Sequence, residues 1–202
     1  MKKPTEILIA TGNEGKFREI SALLAAIDVK AISSFQFQLE EPEETGRTFE
    51  ENAIIKAEFY GKKTGLVSLA DDSGLCVEAM NGAPGIYSAR FALDENGNKN
   101  FSQAFEKIAA KTTQNKRAHF ICNLTLFDPK NDFHISFEGR CDGELTFPPR
   151  GNKGFGYDPI FIKDGLTQTF GEIDANKKDS ISHRAKAFEK LCSWLVNQQQ
   201  KA

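Results

Sequence analysis

The chain has 202 residues, 27% of them charged and 40% hydrophobic, and its 26 Lys and Arg against 28 Asp and Glu leave a net charge of -2. That length suits a single domain spanning residues 1–202 with one sizeable core, two-lobed at most, and the composition is that of a folded globular chain, not a disordered one. The near-neutral balance offers no basic field for a nucleic acid polymer, which is excluded as a partner while a single nucleotide is not.

The four cysteines, Cys76, Cys122, Cys141 and Cys192, are scattered and form no metal-ligand spacing, the pattern of buried thiols in a reducing compartment. The opening "MKKPTEILIATGN" breaks its apolar run after four residues, too early for a signal sequence, and no later run approaches the length of a membrane span. A cytoplasmic protein with no membrane partner is expected.

In chain order, Ile7–Ala10 is a short apolar run, followed by "TGNEGK" and by Phe17, Ile20, Leu23, Leu24 and Ile27 at helical spacing. This predicts strand, glycine loop and helix. A strand over Val29–Ile32 leads to a polar loop containing "LEEPEETG". Thr48 and Glu51 fit a capping box, and Phe49, Ala53, Ala57 and Tyr60 form the apolar stripe of a helix ending near Gly61 or Gly65. Asn52 and Lys56 share another face of it.

Leu66–Ala70 predicts a strand that runs into "DDSGL", with Leu75–Ala79 either its continuation or its hairpin partner. Phe101, Phe105, Ile108 and Ala109 mark a helix. Ala118–Phe127 and Phe133–Gly139 flank the turn "DPKND" as a β-hairpin. "GELTF" and "PIFI" are short strand candidates around the glycine-rich "PPRGNKGFGYD", and a last helix follows Ser182. Early alternation of strands and helices with a later hairpin predicts an α/β (α+β) fold on a mixed sheet.

Several stretches carry chemistry. "TGNEGK", Thr11 to Lys16, sits on a strand-to-helix turn where free amides and the helix dipole attract anions. Its spacing fails the Walker A pattern, and the G-x-G-x-x-G pattern is absent; a generic phosphate loop and a plain tight turn both remain open. Glu44 in the acidic loop and Lys56 on its helix suit a metal and a phosphate, or a solvated surface. Asp71 and Asp72 close the apolar run "LADDSGL" with two adjacent carboxylates, either a polar turn or a site for Mg²⁺, which prefers hard oxygen ligands. "GFGYD" places two aromatics on a glycine loop, to stack on a base or to plug the core. "KKDSISHR" brings Lys178, His183 and Arg184 together as hydrogen-bond donors.

Taken in order, "ILIATGNEGKFREI", "TFEENAIIKA", "LADDSGLCVEAMNGAPGIYSARFA", "GFGYDPIF" and "SHRAKA" closely resemble the inosine triphosphate pyrophosphatase family. The likeness covers nearly the whole chain. It implies a homodimeric, Mg²⁺-dependent enzyme that splits ITP, dITP or XTP into the monophosphate and pyrophosphate. The fold it implies is two-lobed, a mixed twisted sheet flanked by helices, with a cleft between the lobes.

By motif, the resemblance assigns the triphosphate to Thr11, Gly12, Asn13, Glu14, Gly15, Lys16 and Lys56. It gives the metal to Glu44 and Asp72, with Asp72 also the proton acceptor for water, and gives Ser73 a substrate contact. Phe155, Gly156, Tyr157 and Asp158 are implied to pack on base and sugar, and Lys178, His183 and Arg184 to recognise the base edge. The segment "FALDENGNKNF" after Arg90 departs from the family pattern, being shorter and lacking its acidic and threonine-bearing residues. The alternative function is a nucleotide-binding regulator without turnover, against which the crowded carboxylates argue, since a pure binder gains little from placing them near phosphates.

Overall fold

The computed structural model describes residues 3–199. Six strands, β1 (Glu6–Ala10), β2 (Lys30–Ser33), β3 (Ser68–Val77), β4 (Arg117–Asp128), β5 (Phe133–Leu145) and β6 (Phe161–Lys163), form one sheet in the order β2-β1-β3-β4-β5-β6. The helices are α1 (Glu14–Ala25), α2 (Phe49–Thr64), α3 (Ser88–Phe91), α4 (Phe101–Lys111), α5 (Ala175–Ile181) and α6 (His183–Gln199). β1 pairs in parallel with β2 and β3, and β5 pairs antiparallel with β6, so the sheet is mixed.

The chain divides into two compact units. The first holds the residues up to Asp72, Cys122–Gly139 and the residues from Arg184 on; the second holds Ser73–Ile121 and Arg140–His183.

The first unit follows from the two-residue period of its strands, which sends successive side chains to opposite faces. Ile7, Ile9 and Leu69 pack with Ile20 and Leu24 of α1, with Leu124 and Leu126 of β4 and with Ala187, Phe188, Leu191 and Leu195 of α6. Leu8, Ala10 and Ala70 pack on the other side with Ala57 and Tyr60 of α2 and with Phe127. Both faces of the sheet are therefore covered in this unit, which is why Ile7–Ala10 of β1 reads as an unbroken apolar run.

Helix ends follow their cap residues. Asn13 Oδ1 accepts from Lys16 N at 3.0 Å to start α1, and Thr48 Oγ1 accepts from Glu51 N at 3.1 Å to start α2. The return half of the expected capping box goes elsewhere: Glu51 Oε2 accepts from Arg47 N. Of the two glycines offered as the end of α2, Gly65 is the cap, in the left-handed region at φ 72°.

The second unit has its own core of Leu75, Val77, Phe105, Ile108, Phe120, Leu145, Tyr157, Phe161 and Phe170 among others. The segment after Arg90 closes on itself: Asp94 Oδ1 accepts from Asn96 N and Asn98 N, and Leu93 bridges Lys99.

Three local readings change. "LADDSGL" is the interior of the continuous strand β3 and not a turn. "GELTF" is largely the tail of β5, and "PIFI" is a 3₁₀ turn, Asp158–Ile160, running into β6. Helix α5, "ANKKDSI", was not legible because it lacks an apolar stripe; the side chain it buries is that of Lys178.

Candidate active site

Strand alternation resolves the crowding of Asp71 and Asp72. Asp71 follows Leu69 onto the face covered by α1 and α6, while Asp72 follows Ala70 onto the face covered by α2. Each carboxylate therefore finds its own cations within the first unit. Both are buried, Asp71 at 1% and Asp72 at 5% exposure, where an unpaired charge is costly.

On the α2 face, Lys56 Nζ donates to Asp72 Oδ1 at 2.8 Å and to Glu44 Oε1 at 2.7 Å. Asn52, one helical turn before Lys56, extends its amide to Asp72 Oδ2 at 3.5 Å and accepts from Gly46 N at 2.8 Å, which fixes the acidic loop against the helix. Burial pulls the Lys56 pKa down, but Asp72 and Glu44 outweigh it and raise the value. Burial pushes the Asp72 carboxyl above its ordinary range, a shift that Lys56 and Lys16 reverse only in part. A carboxylate raised in this way is a stronger base toward water than an exposed one.

The same geometry tests the fit of a divalent metal. Oxygens of Glu44 and Asp72 already converge on one cation, the Lys56 ammonium, and both are hard ligands. Among the described residues no group of three or more His, Cys, Asp or Glu forms a ready-made cage. Two carboxylates with an open remainder suit a cation that completes its shell with water and phosphate oxygens.

On the α1 and α6 face, Asp71 Oδ1 meets Lys16 Nζ at 2.5 Å, and Asp71 Oδ2 accepts from Arg184 Nε at 2.8 Å and from the Cys122 thiol at 3.0 Å. Arg184 Nη1 in turn donates to Glu19 Oε2. Burial by itself would raise the Asp71 pKa, yet Arg184 and Lys16 hold it well below the carboxylate range. Burial and the adjacent Asp71 push the Cys122 thiol well above its usual value.

The expected phosphate loop lies at the end of β1. Thr11 Oγ1 accepts from Asn13 N at 3.1 Å, and Thr11 O accepts from Ser34 Oγ at 2.9 Å. Thr11 is buried, Gly12 and Glu14 are exposed, and Asn13 is half-buried, leading into the first turn of α1 with the half-buried Gly15 and Lys16. A Cβ on Gly12 would stand 1.8 Å from Glu41 Oε1, so an exposed carboxylate of the acidic loop rests on the glycine.

The remaining expected residues belong to the second unit. Asp158 Oδ2 accepts from Phe155 N at 2.8 Å and also from Lys178 Nζ, both charged side chains being about 4% exposed. The Lys178 ammonium lies 4.6 Å from the centre of the Phe155 ring and 5.8 Å from that of Phe170. His183 stacks on Phe120 at 4.7 Å. Tyr157 is core: its hydroxyl donates to Ser88 O, and its ring packs on Phe101. Of the two aromatics in "GFGYD", Phe155 is the half-buried one and Tyr157 is buried. Ser73 opens this unit, half-buried, one residue after Asp72.

A family model for the Ham1 family matches residues 7–194. The chain belongs to the Ham1 family. It is 48% identical over 195 residues to a dITP/XTP pyrophosphatase of Zymomonas mobilis, covering 94% of this chain and 91% of that protein. A dITP/XTP pyrophosphatase of Rhodospirillum centenum is 50% identical over 191 residues, 92% of each. The solved structure of a HAM1 protein from Coxiella burnetii superposes with a TM-score of 0.82 at 40% identity, over 95% of this chain and 98% of that one.

Within this Ham1 chain, the donors expected from "KKDSISHR" have different partners. Lys178 and His183 belong to the second unit and Arg184 to the first, where two of its guanidinium nitrogens face carboxylates. The cause is desolvation: a cation buried at 1% exposure needs anions beside it. Sequence reading gave no site role to Glu19, Asn52 or Cys122. The helical spacing of Lys16 and Glu19 on α1, and of Asn52 and Lys56 on α2, was the available signal, since residues three and four apart share a helix face.

Proposed function

We infer that this Ham1 chain hydrolyses nucleoside triphosphates of non-standard purines, ITP, dITP and XTP, to the monophosphate and pyrophosphate, keeping those bases out of nucleic acids. The observation that carries the reading is the opposed placement of the two carboxylates. Asp72 stands with Glu44 and Lys56 on one face of β3, while Asp71 holds the lysine of the phosphate loop on the other.

A triphosphate carries about four negative charges at neutral pH and needs donors from several directions. Residues Thr11 to Gly15, leading into the start of α1, with Lys16 and Lys56, supply them. Glu44 and Asp72 would hold Mg²⁺, which when bound neutralises phosphate charge and polarises the P–O bonds. Asp72, its pKa raised by burial, orients the attacking water and takes its proton. Water attacks the α-phosphorus; the bond to the β-phosphate oxygen breaks, and the electron pair leaves with pyrophosphate. Lysine ammonium groups stabilise that developing charge.

Base selection rests on hydrogen-bond inventory. Hypoxanthine and xanthine present an acceptor at C6 where adenine presents an amino donor, so donors such as Lys178 and His183 favour the former. The half-buried Phe155 ring packs on the base, and Ser73, Gly156 and Asp158 complete the contacts to substrate. Guanine is rejected through its 2-amino group, which a pocket without an acceptor leaves unpaired.

The chain acts as a homodimer in the cytoplasm. The cytoplasmic reading is supported by four free cysteines, three of them buried, and among the described residues no helix is long and apolar enough to cross a membrane.

Incubation with Mg²⁺ and ITP, dITP, XTP, GTP or ATP tests the reading by product identity. Pyrophosphate with IMP, dIMP or XMP is expected, with GTP and ATP poor substrates. Orthophosphate as the primary product, or tight binding without turnover, overturns it. Omitting the metal, or replacing it with Mn²⁺, tests the choice of ion, and light scattering tests the dimer.

A further inference from the structure

Asp71 is the most enclosed acid of the site and touches none of the reacting atoms in the reaction as derived above. Its two oxygens face different partners. Oδ2 is enclosed by Arg184 Nε at 2.8 Å and the Cys122 thiol at 3.0 Å, groups that are 1% and 0% exposed. Oδ1 meets Lys16 Nζ at 2.5 Å, and the Lys16 side chain keeps 15% of its exposure. One buried carboxylate is thus anchored on one side and grips a reachable ammonium on the other.

The anchor is rigid. Arg184 belongs to α6 and also donates to Glu19, which lies on α1 one turn after Lys16. The guanidinium presents its donors in a fixed planar fork, so the positions of Asp71 and of α1 are set by the same group. Lys16, by contrast, carries its ammonium on a flexible four-carbon stem. Two cations and two carboxylates make the set formally neutral. Of the two cations, Arg184 is buried within the network, and Lys16 completes the balance from its more exposed end.

We infer that Asp71 is a positioning residue for the phosphate loop: it acts on the reaction through Lys16, holding the ammonium in one place before the triphosphate arrives, with Arg184, Cys122 and Glu19 as its buried mount. The inference rests on the pyrophosphohydrolase reading given above. Preorganisation of this kind places a charge where it is needed as the leaving group departs, and its loss is felt in kcat. Arg184 then serves the reaction from behind Asp71.

The test is a double-mutant cycle of Asp71→Asn and Lys16→Met, with kcat and KM for ITP and with thermal unfolding of each variant. In the chain that keeps Lys16, Asp71→Asn lowers kcat about tenfold and changes KM less than about threefold, since the released ammonium still attracts phosphate but no longer waits in position. In the chain that carries Lys16→Met, the same change alters kcat less than about twofold, because partners that act as a unit are not additive. A purely structural Asp71 lowers kcat by the same factor in both backgrounds, and that result overturns the inference. A rise in KM with kcat unchanged overturns it as well.

If Asp71→Asn does not fold, Asp71→Glu keeps the buried charge and displaces the contact, and the cycle is run with it under the same criteria. The two readings fail separately. A wild-type chain that releases no pyrophosphate from ITP removes the functional reading, whereas wild-type turnover with an additive cycle removes only the role of Asp71.

Discussion

The two units each bury a cation against a carboxylate, and they use the pairing differently. In the first unit the set Glu19–Arg184–Asp71–Lys16 is open at one end, where a partly exposed ammonium remains. In the second, Lys178 and Asp158 are both about 4% exposed, and Asp158 also accepts from the backbone of Phe155 beneath which the ammonium lies. The first network presents an ammonium at its more exposed end, while the second pair is tied to the backbone of its own loop. Burial of an ion pair is thus no guide to its task; the direction in which the last partner faces is.

The contrast is broken most directly by substitution. Asp72→Asn removes the base while leaving the Asp71 network in place and Lys56 still paired with Glu44; kcat for pyrophosphate release falls about a thousandfold, and the melting temperature stays close to that of the parent. An active Asp72→Asn enzyme refutes the mechanism. Asp158→Asn instead attacks folding: it leaves the Lys178 ammonium buried without its carboxylate and costs about 3–5 kcal/mol in urea unfolding. Lys178→Met added to it restores much of that loss, because an apolar replacement relieves the stranded charge.

Two glycines sharpen the same comparison. A Cβ on Gly154, at φ 71°, would lie 2.1 Å from Asp158 Oδ2, an atom already fixed by Lys178 and Phe155 N. Gly154→Ala is expected to cost about 1–3 kcal/mol, since neither backbone nor neighbour can yield. At Gly12 the obstacle is the free-swinging end of the exposed Glu41 side chain. Gly12→Ala therefore leaves stability within about 0.5 kcal/mol and shows its effect in a raised KM for the triphosphate.

The smallest effect is on acid stability. Asp71 has a folded pKa depressed well below its ordinary 3.8, so the folded state binds fewer protons than the unfolded chain across that interval. Its contribution is fully present above the unfolded value and is lost as pH falls through the folded one. Urea midpoints between about pH 7 and pH 2 are expected to decline on the acid side, and Asp71→Asn flattens that decline. An unchanged acid limb in the variant removes the assignment.

The amino-acid sequence by itself determined the order of strands and helices, the two apolar periods and the family, because those depend on local spacing and on motifs written contiguously. β1, α1, α2 and the hairpin of β4 and β5 were legible because a strand or helix that buries one face repeats its apolar residues at a fixed interval. Helix α5 was not, since it buries a lysine that no hydrophobic count finds. The candidate residues could be named but not grouped. Adjacent Asp71 and Asp72 look like one acidic site, and neighbouring His183 and Arg184 look like one donor cluster. Only the tertiary structure assigned their partners, sending the two carboxylates to opposite faces of β3, pairing Arg184 with Asp71 and Glu19, and stacking His183 on Phe120. The physical reason is that the partner of a buried charge is set by what packs against it, here Arg184 with Asp71 across 113 positions of sequence, and no local pattern records that choice.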